Sequence, residues 1–295
     1  MLVYTTQTWQ TSHTIILLVA IALIILIPLK TTLINQPKSP HCIWLKHEIF
    51  KISMTEVILG CLAGISILVL SSIDDWTRPP LRVNYSIFVM IVVAYHKGES
   101  IFVLVYHIQE YSWNSYVIYH QGATGYIYMI FVINVEFVIE AALMYKFKIY
   151  ANFVFVVVFG GVAAAGLALR NLAFHQAKWN FSHFIRYHID EKHRLIKTGM
   201  YALDRHPSYV GYLTAVIGLI ILLKNPISLL VYPRLMIRYY RYRIYDEECS
   251  LLMIFKDDYR RYMMTTGNMI GYPRASEYGQ PSDIIPAIPS GPGPT

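Results

Sequence analysis

The sequence predicts an all-α, polytopic integral membrane protein: a bundle of about six to eight transmembrane helices with a C-terminal cytosolic region. Three observations predict it. Of 295 residues, 55% are hydrophobic and 15% charged, more apolar surface than a water-soluble domain of this length buries in one core. Several apolar runs approach the roughly 20 helical residues needed to cross a hydrocarbon core about 30 Å thick. The net charge is +7 at pH 7, and its basic residues sit mostly between and after those runs, above all in residues 178–261. Loops facing anionic lipid explain that pattern better than nucleic-acid binding does.

The first expected span covers residues 14–29, preceded by a segment without Lys or Arg and without a small-residue cleavage pattern, so it reads as a retained helix. A polar connector (36–51) leads to a second run (57–73) ending at Asp74 and Asp75, and the two form a plausible antiparallel hairpin. Arg78-Pro79-Pro80 then breaks the chain. The next apolar stretch, 85–108, is interrupted by Lys97-Gly98-Glu99 and reads as one span or two. Residues 123–142 and 149–174 are further spans, the second carrying Gly160, Gly161 and Gly166 for close helix approach. Residues 208–223 and 227–237 form a helical hairpin turning at Asn225-Pro226, and an amphipathic cytosolic helix follows from Arg238 to Tyr262. Residues 1–275 read as one membrane domain, and the Pro/Gly-rich tail 276–295 as disordered or a remnant.

Cys42, Cys61 and Cys249 are widely spaced, so neither a disulfide framework nor a zinc site is indicated. His107 and Glu110 stand three apart on a helix, but no second His-rich helix completes a ligand set, and no metal is expected. Dinucleotide, Walker and nucleophile-elbow motifs are absent. A charge at membrane depth costs at least ~2.5–3.5 kcal/mol on insertion scales, so Glu110, Glu136, Glu140 and Arg170 should face the bundle interior. Glu136 and Glu140 share a helical face; they pair with Arg170, line a polar pocket, or form a purely structural ion pair.

The densest polar stretch is His193-Arg-Leu-Ile-Lys-Thr-Gly-Met-Tyr201, followed by Arg205-His-Pro-Ser-Tyr-Val-Gly211; after Asn225-Pro226 comes Arg243-Ile-Tyr-Asp-Glu-Glu248. Taken alone, a polar loop opening a helix with Pro in its first turn is ordinary interfacial capping. The order H-x-L-I-x-x-G-x-Y, R-H-P-S-Y-V-G, N-P, R-x-x-x-E-E, however, resembles the isoprenylcysteine carboxyl methyltransferases, integral membrane enzymes. His107-Ile-Gln-Glu110-Tyr111, Asn180-Phe-Ser-His183, Arg170, Ser250-Leu251 and Phe255 through Tyr259 resemble family segments too, so the likeness covers about residues 100–273. Phospholipid N-methyltransferases and sterol reductases share the R-H-P to E-E block more loosely.

The resemblance implies methyl esterification, dependent on S-adenosylmethionine, of the C-terminal isoprenylcysteine carboxylate of CaaX proteins such as small GTPases, at the endoplasmic reticulum membrane with the active site facing the cytosol. It implies that the C-terminal cytosolic region is a cofactor-binding region, at about residues 178–273, with contacts from His193, Leu195, Ile196, Tyr201, His206, Pro207, Ser208 and Tyr209. Glu247 and Glu248 suit the donor's positive sulfonium and ammonium in a site from which water is excluded. Arg243 first and Arg170 second are the candidates to hold the acceptor carboxylate, because a guanidinium grips it with two parallel hydrogen bonds and stays charged. The chain departs from the family where Lys178-Trp179 replaces Gly-Ser, Arg186 replaces a cofactor-contacting Gln, Leu219-Ile220 replaces Thr-Gln and Lys256 replaces Gly. A phospholipid N-methyltransferase, and an inactive relative with the same fold, are the alternatives.

Overall fold

The computed structural model describes residues 41–77, 79–116, 124–143, 152–181 and 194–271. The expected span at 14–29, residues 182–193 (with Arg186 and His193) and the tail 276–295 lie outside these. The described chain is helical: α1 (His41–Ser71), α2 (Leu81–Tyr106), α3 (Thr124–Leu143), α4 (Phe153–Ala177), the single turn α5 (Met200–Leu203), α6 (Pro207–Leu222) and α7 (Pro226–Thr265). Short 3-10 turns stand at Ile108–Glu110, Trp113–Ser115 and Lys178–Asn180.

Four segments of the described residues are long and apolar enough to cross a membrane: Glu48–Ser71, Leu81–Tyr106, Gly125–Leu143 and Phe153–Asn180. Large apolar side chains on their outer faces, such as Phe131 and Val138 at 63% exposure each, need lipid as solvent. The apolar α6 has 16 residues, about 24 Å of helix and short of a full hydrocarbon core. The expected second arm of its hairpin is the start of the 40-residue α7.

The chain divides into two compact units, 1–163 with 218–228, and 164–217 with 229–295. In the first, α1 and α2 pack through Ile52, Leu59 and Val93, joined by Tyr116. α2 runs unbroken through Lys97-Gly98-Glu99 and is a single span. Continuity is possible there because Lys97 Nζ donates to both oxygens of Glu56 on α1 (2.7 and 2.6 Å), while Tyr116 Oη donates to the same carboxylate. Asn84 Nδ2 donates to the Leu222 carbonyl (2.8 Å), and Asn225 Nδ2 to that of Ile133 (2.8 Å).

Glu136 has a role the spacing did not predict. It accepts from the Ile227 and Ser228 amides (2.7 and 2.8 Å) and from the Ser228 hydroxyl, capping the first turn of α7 with a carboxylate from α3. The unpaired amides and the dipole of a helix N-terminus suit an anion, which is why this buried charge is tolerated.

In the second unit α4 and α6 meet backbone to backbone. A Cβ on Gly166 would stand 2.4 Å from the Ala215 amide nitrogen, and one on Gly211 would stand 2.6 Å from that of Arg170. Any side chain at either position forces the helices apart. Gly161 faces open space and Gly160 meets only Ile87 at ordinary contact distance, so of the three expected packing glycines the close crossing uses Gly166.

α7 breaks at Lys256, whose φ of 47° and ψ of −121° are rarely adopted by L residues. Lys178 opens its 3-10 turn at φ 51°. Both lysines hold a positive φ that favours glycine, at a cost in strain. Lys256→Gly should therefore raise stability by about 1 kcal/mol, whereas Lys256→Ala should not. The thermal unfolding midpoint in detergent reads the difference.

Candidate active site

The H-P-S-Y segment opens α6. Pro207 supplies the preset φ of a first helical turn, and the Asp204 carboxylate accepts the His206 amide (2.6 Å) and, with its other oxygen, the Met269 amide (2.6 Å). Asp204 thus ties the loop before α6 to the segment after α7. Arg205 repeats the tie: its amide donates to the Gly267 carbonyl (3.2 Å) and its Nη1 to that of Thr266 (2.6 Å).

Beneath lies a buried charge cluster. Glu248 Oε1 accepts from Arg205 Nε (2.7 Å) and from His206 Nε2 (3.0 Å), with the Glu248 side chain 0% exposed. Burial alone would raise the Glu248 carboxyl, but its hydrogen bonds and charge contacts with His206 and Arg205 dominate and hold it at about 2. Burial would likewise depress His206, but its hydrogen bond to Glu248 and the charges of Glu247, Glu248 and Asp204 lift its pKa above the ordinary value. His206 contributes stability in full below its unfolded value of 6.5, losing it as pH rises through the higher folded value. Glu248 contributes in full above 4.5, losing it as pH falls toward 2. Stability against pH should hold from 4.5 to 6.5 and decline on the alkaline side. His206→Gln should flatten that alkaline limb in a series of unfolding midpoints.

Next to the cluster runs a second chain of groups. Arg243 Nε donates to the Tyr209 hydroxyl (3.0 Å), which donates to Glu247 Oε2 (2.8 Å). Arg243 is thus held in place through Nε. Burial opposes its charge, yet the neighbouring Tyr209 and Glu247 outweigh this and raise its pKa. Glu247 is 33% exposed at its side chain, with Oε1 3.9 Å from His206 Nδ1. Two adjacent glutamates therefore differ: Glu248 is enclosed by framework cations, and Glu247 is partly exposed. Assigned to the cofactor from sequence, Glu248 is buried here among protein partners.

Aromatic rings frame these groups. Tyr209 stacks on Tyr240 (4.6 Å between centroids) and lies near-parallel to His206 (5.8 Å), while Tyr212 meets Tyr240 edge-on (6.1 Å). Arg170, 7% exposed, donates through Nη1 to Ser208 Oγ (3.0 Å) and lies over the Phe174 and Tyr212 rings. It anchors the first turn of α6, and Ser208 is its partner. Tyr201 donates to the Ala173 carbonyl (3.3 Å). Leu195 packs on the core of Cys249, Leu252, Tyr259 and Tyr262, and Ile196 is half-buried beside it in the same strand-free stretch. Gly199 has φ +64°, and any Cβ there would strike the Gln176 side chain, whose Oε1 accepts the Met200 amide (2.8 Å).

Sequence reasoning left Arg205, Asp204 and Tyr240 without roles. Arg205 was visible as the R of R-H-P, and Tyr240 as the residue one helical turn before Arg243. Their partners, however, come from elsewhere in the chain, which spacing does not reveal. A methyl donor with a sulfonium and an ammonium fits this donor set: an accessible carboxylate on Glu247, flanked by aromatic rings.

Residues 156–253 match the model of the isoprenylcysteine carboxyl methyltransferase (ICMT) family. The protein-S-isoprenylcysteine O-methyltransferase of Saccharomyces cerevisiae is 28% identical over 233 residues, 77% of this chain and 92% of that protein. The "probable protein-S-isoprenylcysteine O-methyltransferase" of Oryza sativa subsp. indica is 30% identical over 187 residues, 61% of this chain and 92% of that protein. A solved structure of the eukaryotic intramembrane Ras methyltransferase ICMT superposes with a TM-score of 0.69 at 25% identity, covering 88% of this chain and 86% of that one. With its helical membrane fold and a rice relative matched across nearly its whole length, the chain belongs to the isoprenylcysteine carboxyl methyltransferase family.

Proposed function

We propose that this protein transfers a methyl group from S-adenosylmethionine to the carboxylate of a C-terminal, S-prenylated cysteine on CaaX proteins such as small GTPases. The observation that carries the reading is the Arg243–Tyr209–Glu247 chain, at 3.0 and 2.8 Å. It holds a cation suited to the acceptor and an anion suited to the donor on either side of one hydroxyl, which keeps them from neutralising each other.

The acceptor needs no general base, since an α-carboxyl with a reference pKa near ~3.5 is ionised at neutral pH. The protein's work is alignment and removal of water. Arg243 orients the carboxylate through its fork, and Arg170 fixes Ser208 and hence the α6 turn behind it. Glu247 faces the donor's positive charge, with Tyr201, His206, Pro207, Tyr209, Leu195 and Ile196 around it; Arg186 and His193 join them in this reading. When bound, the donor supplies an activated methyl for in-line displacement. The prenyl tail stays in lipid, where each buried CH₂ contributes about 0.8 kcal/mol.

Residues 1–275 act as one catalytic domain, with the site facing the cytosol at the endoplasmic reticulum. The test offers methyl-labelled S-adenosylmethionine with N-acetyl-S-farnesylcysteine, its carboxamide, or phosphatidylethanolamine. Label should pass to the first alone. Transfer to phosphatidylethanolamine would instead identify an N-methyltransferase, and cofactor binding without transfer to any acceptor would contradict the proposal.

A further inference from the structure

Tyr240 lies at the site, yet the proposed reaction gives it nothing to bind. On α7 it shares one face with the two charges: Arg243 follows three residues later and Glu247 seven, the spacing of a single helical stripe. Tyr209, projecting from α6, meets all three. Its ring stacks on Tyr240, with centroids 4.6 Å apart and planes 26° from parallel. Its hydroxyl accepts from Arg243 Nε (3.0 Å) and donates to Glu247 Oε2 (2.8 Å).

Two hydrogen bonds place an oxygen, but they do not set the plane of the ring behind it. That plane matters because conjugation keeps a phenolic O–H close to it, so the tilt of the ring decides whether the proton points at Glu247. Offset stacking on a fixed partner sets the tilt. Tyr240 is such a partner: it is 6% exposed, and Tyr212 meets it edge-on at 6.1 Å and 90°. Tyr212 is held in turn by the contact of its hydroxyl with that of Tyr232 (3.2 Å) and by the Arg170 guanidinium, 5.4 Å from its ring centroid. Helices α4, α6 and α7 thus all contribute to fixing one ring.

The spacing of the charges explains why a fixed ring is needed. An arginine and a glutamate four residues apart on a helix are close enough to pair directly. A direct pair would turn the donors of Arg243 and the charge of Glu247 on each other, and the Tyr209 hydroxyl bridges them instead. We infer that Tyr240 is a positioning residue: its ring holds Tyr209 in the plane where one hydroxyl bridges Arg243 and Glu247, leaving the two charges available to separate ligands. The positioning stands on the geometry, and its effect on turnover rests on the proposed reaction.

The test uses the full chain in detergent, isotope-labelled at the arginine Nε, and reads the Arg243 Nε–H resonance, identified by its loss in Arg243→Gln. Tyr209→Phe, which removes the acceptor, marks the position of the resonance without its hydroxyl partner. Tyr240→Leu should move the resonance toward that position by at least half the difference, and Tyr240→Phe, which keeps the ring, should leave it where it stands in the unaltered chain. Tyr240→Leu should also raise the dissociation constant of S-adenosylmethionine and the KM of N-acetyl-S-farnesylcysteine together, each by about threefold to tenfold, the worth of one aromatic stack. Tyr240→Phe should restore both, and in a Tyr209→Phe background Tyr240→Leu should add less than about twofold. If Tyr240→Leu does not accumulate, Tyr240→Met takes its place in every comparison. An unmoved resonance in the variant without the ring overturns the inference. So do losses that add in full to those of Tyr209→Phe, which would make Tyr240 a packing residue and nothing more. A chain that methylates no acceptor removes the proposed reaction and leaves the resonance to decide the positioning.

Discussion

Arg243→Ala lowers kcat/KM for the prenylcysteine acceptor by about 10²–10³-fold, while donor affinity stays within about threefold. The split follows from geometry. Arg243 donates to the Tyr209 hydroxyl, and its removal leaves the Tyr209–Glu247 hydrogen bond (2.8 Å) in place on the donor side. The acceptor side loses the fork that fixes a carboxylate in line with the reacting methyl. Arg243→Lys recovers little of the rate, because a point charge holds a carboxylate without setting its plane. Steady-state kinetics with each substrate varied, together with equilibrium binding of S-adenosylmethionine, separate the two sides.

The two neighbouring glutamates should fail in opposite ways. Glu248→Ala removes the shared partner of Arg205 and His206 inside the protein, leaving a buried guanidinium uncompensated. That kind of loss costs about 3–5 kcal/mol, a large fraction of a domain's stability, and it should appear as low yield and a steep fall in the unfolding midpoint. Glu247→Ala, at a side chain 33% exposed, should change stability by less than about 1 kcal/mol. It should instead weaken donor binding by about 10–100-fold, the worth of one charge-assisted contact. Unfolding midpoints and donor dissociation constants for both variants read this crossover directly.

Much of the fold was legible because span length is a property of a single segment: the runs at 57–73, 123–142 and 149–174 became α1, α3 and α4 with shifted ends. The interruption at Lys97-Gly98-Glu99 was ambiguous because its resolution depends on Glu56, some forty residues away. Glu136 was read as a pocket or ion-pair residue because helix spacing reveals a shared face but not a distant helix start in need of a cap. The motif order singled out the candidate site residues, of which the structure brings His206, Tyr209, Arg243 and Glu247 together. Which of Glu247 and Glu248 is the exposed one was not legible, since adjacent positions on a helix differ only in what surrounds them. The lysines at 178 and 256 were noticed as departures from glycine, and their positive φ supplies the physical sense of that departure.

The central claim is that a carboxylate oxygen accepts the methyl. The most direct measurement incubates the purified full chain with methyl-labelled S-adenosylmethionine and N-acetyl-S-farnesylcysteine, then treats the extracted product with base. A methyl ester releases its label as methanol, and this account predicts near-complete release that Arg243→Ala reduces in proportion to its rate. Label that survives base, as a methylated nitrogen or sulfur would, contradicts it.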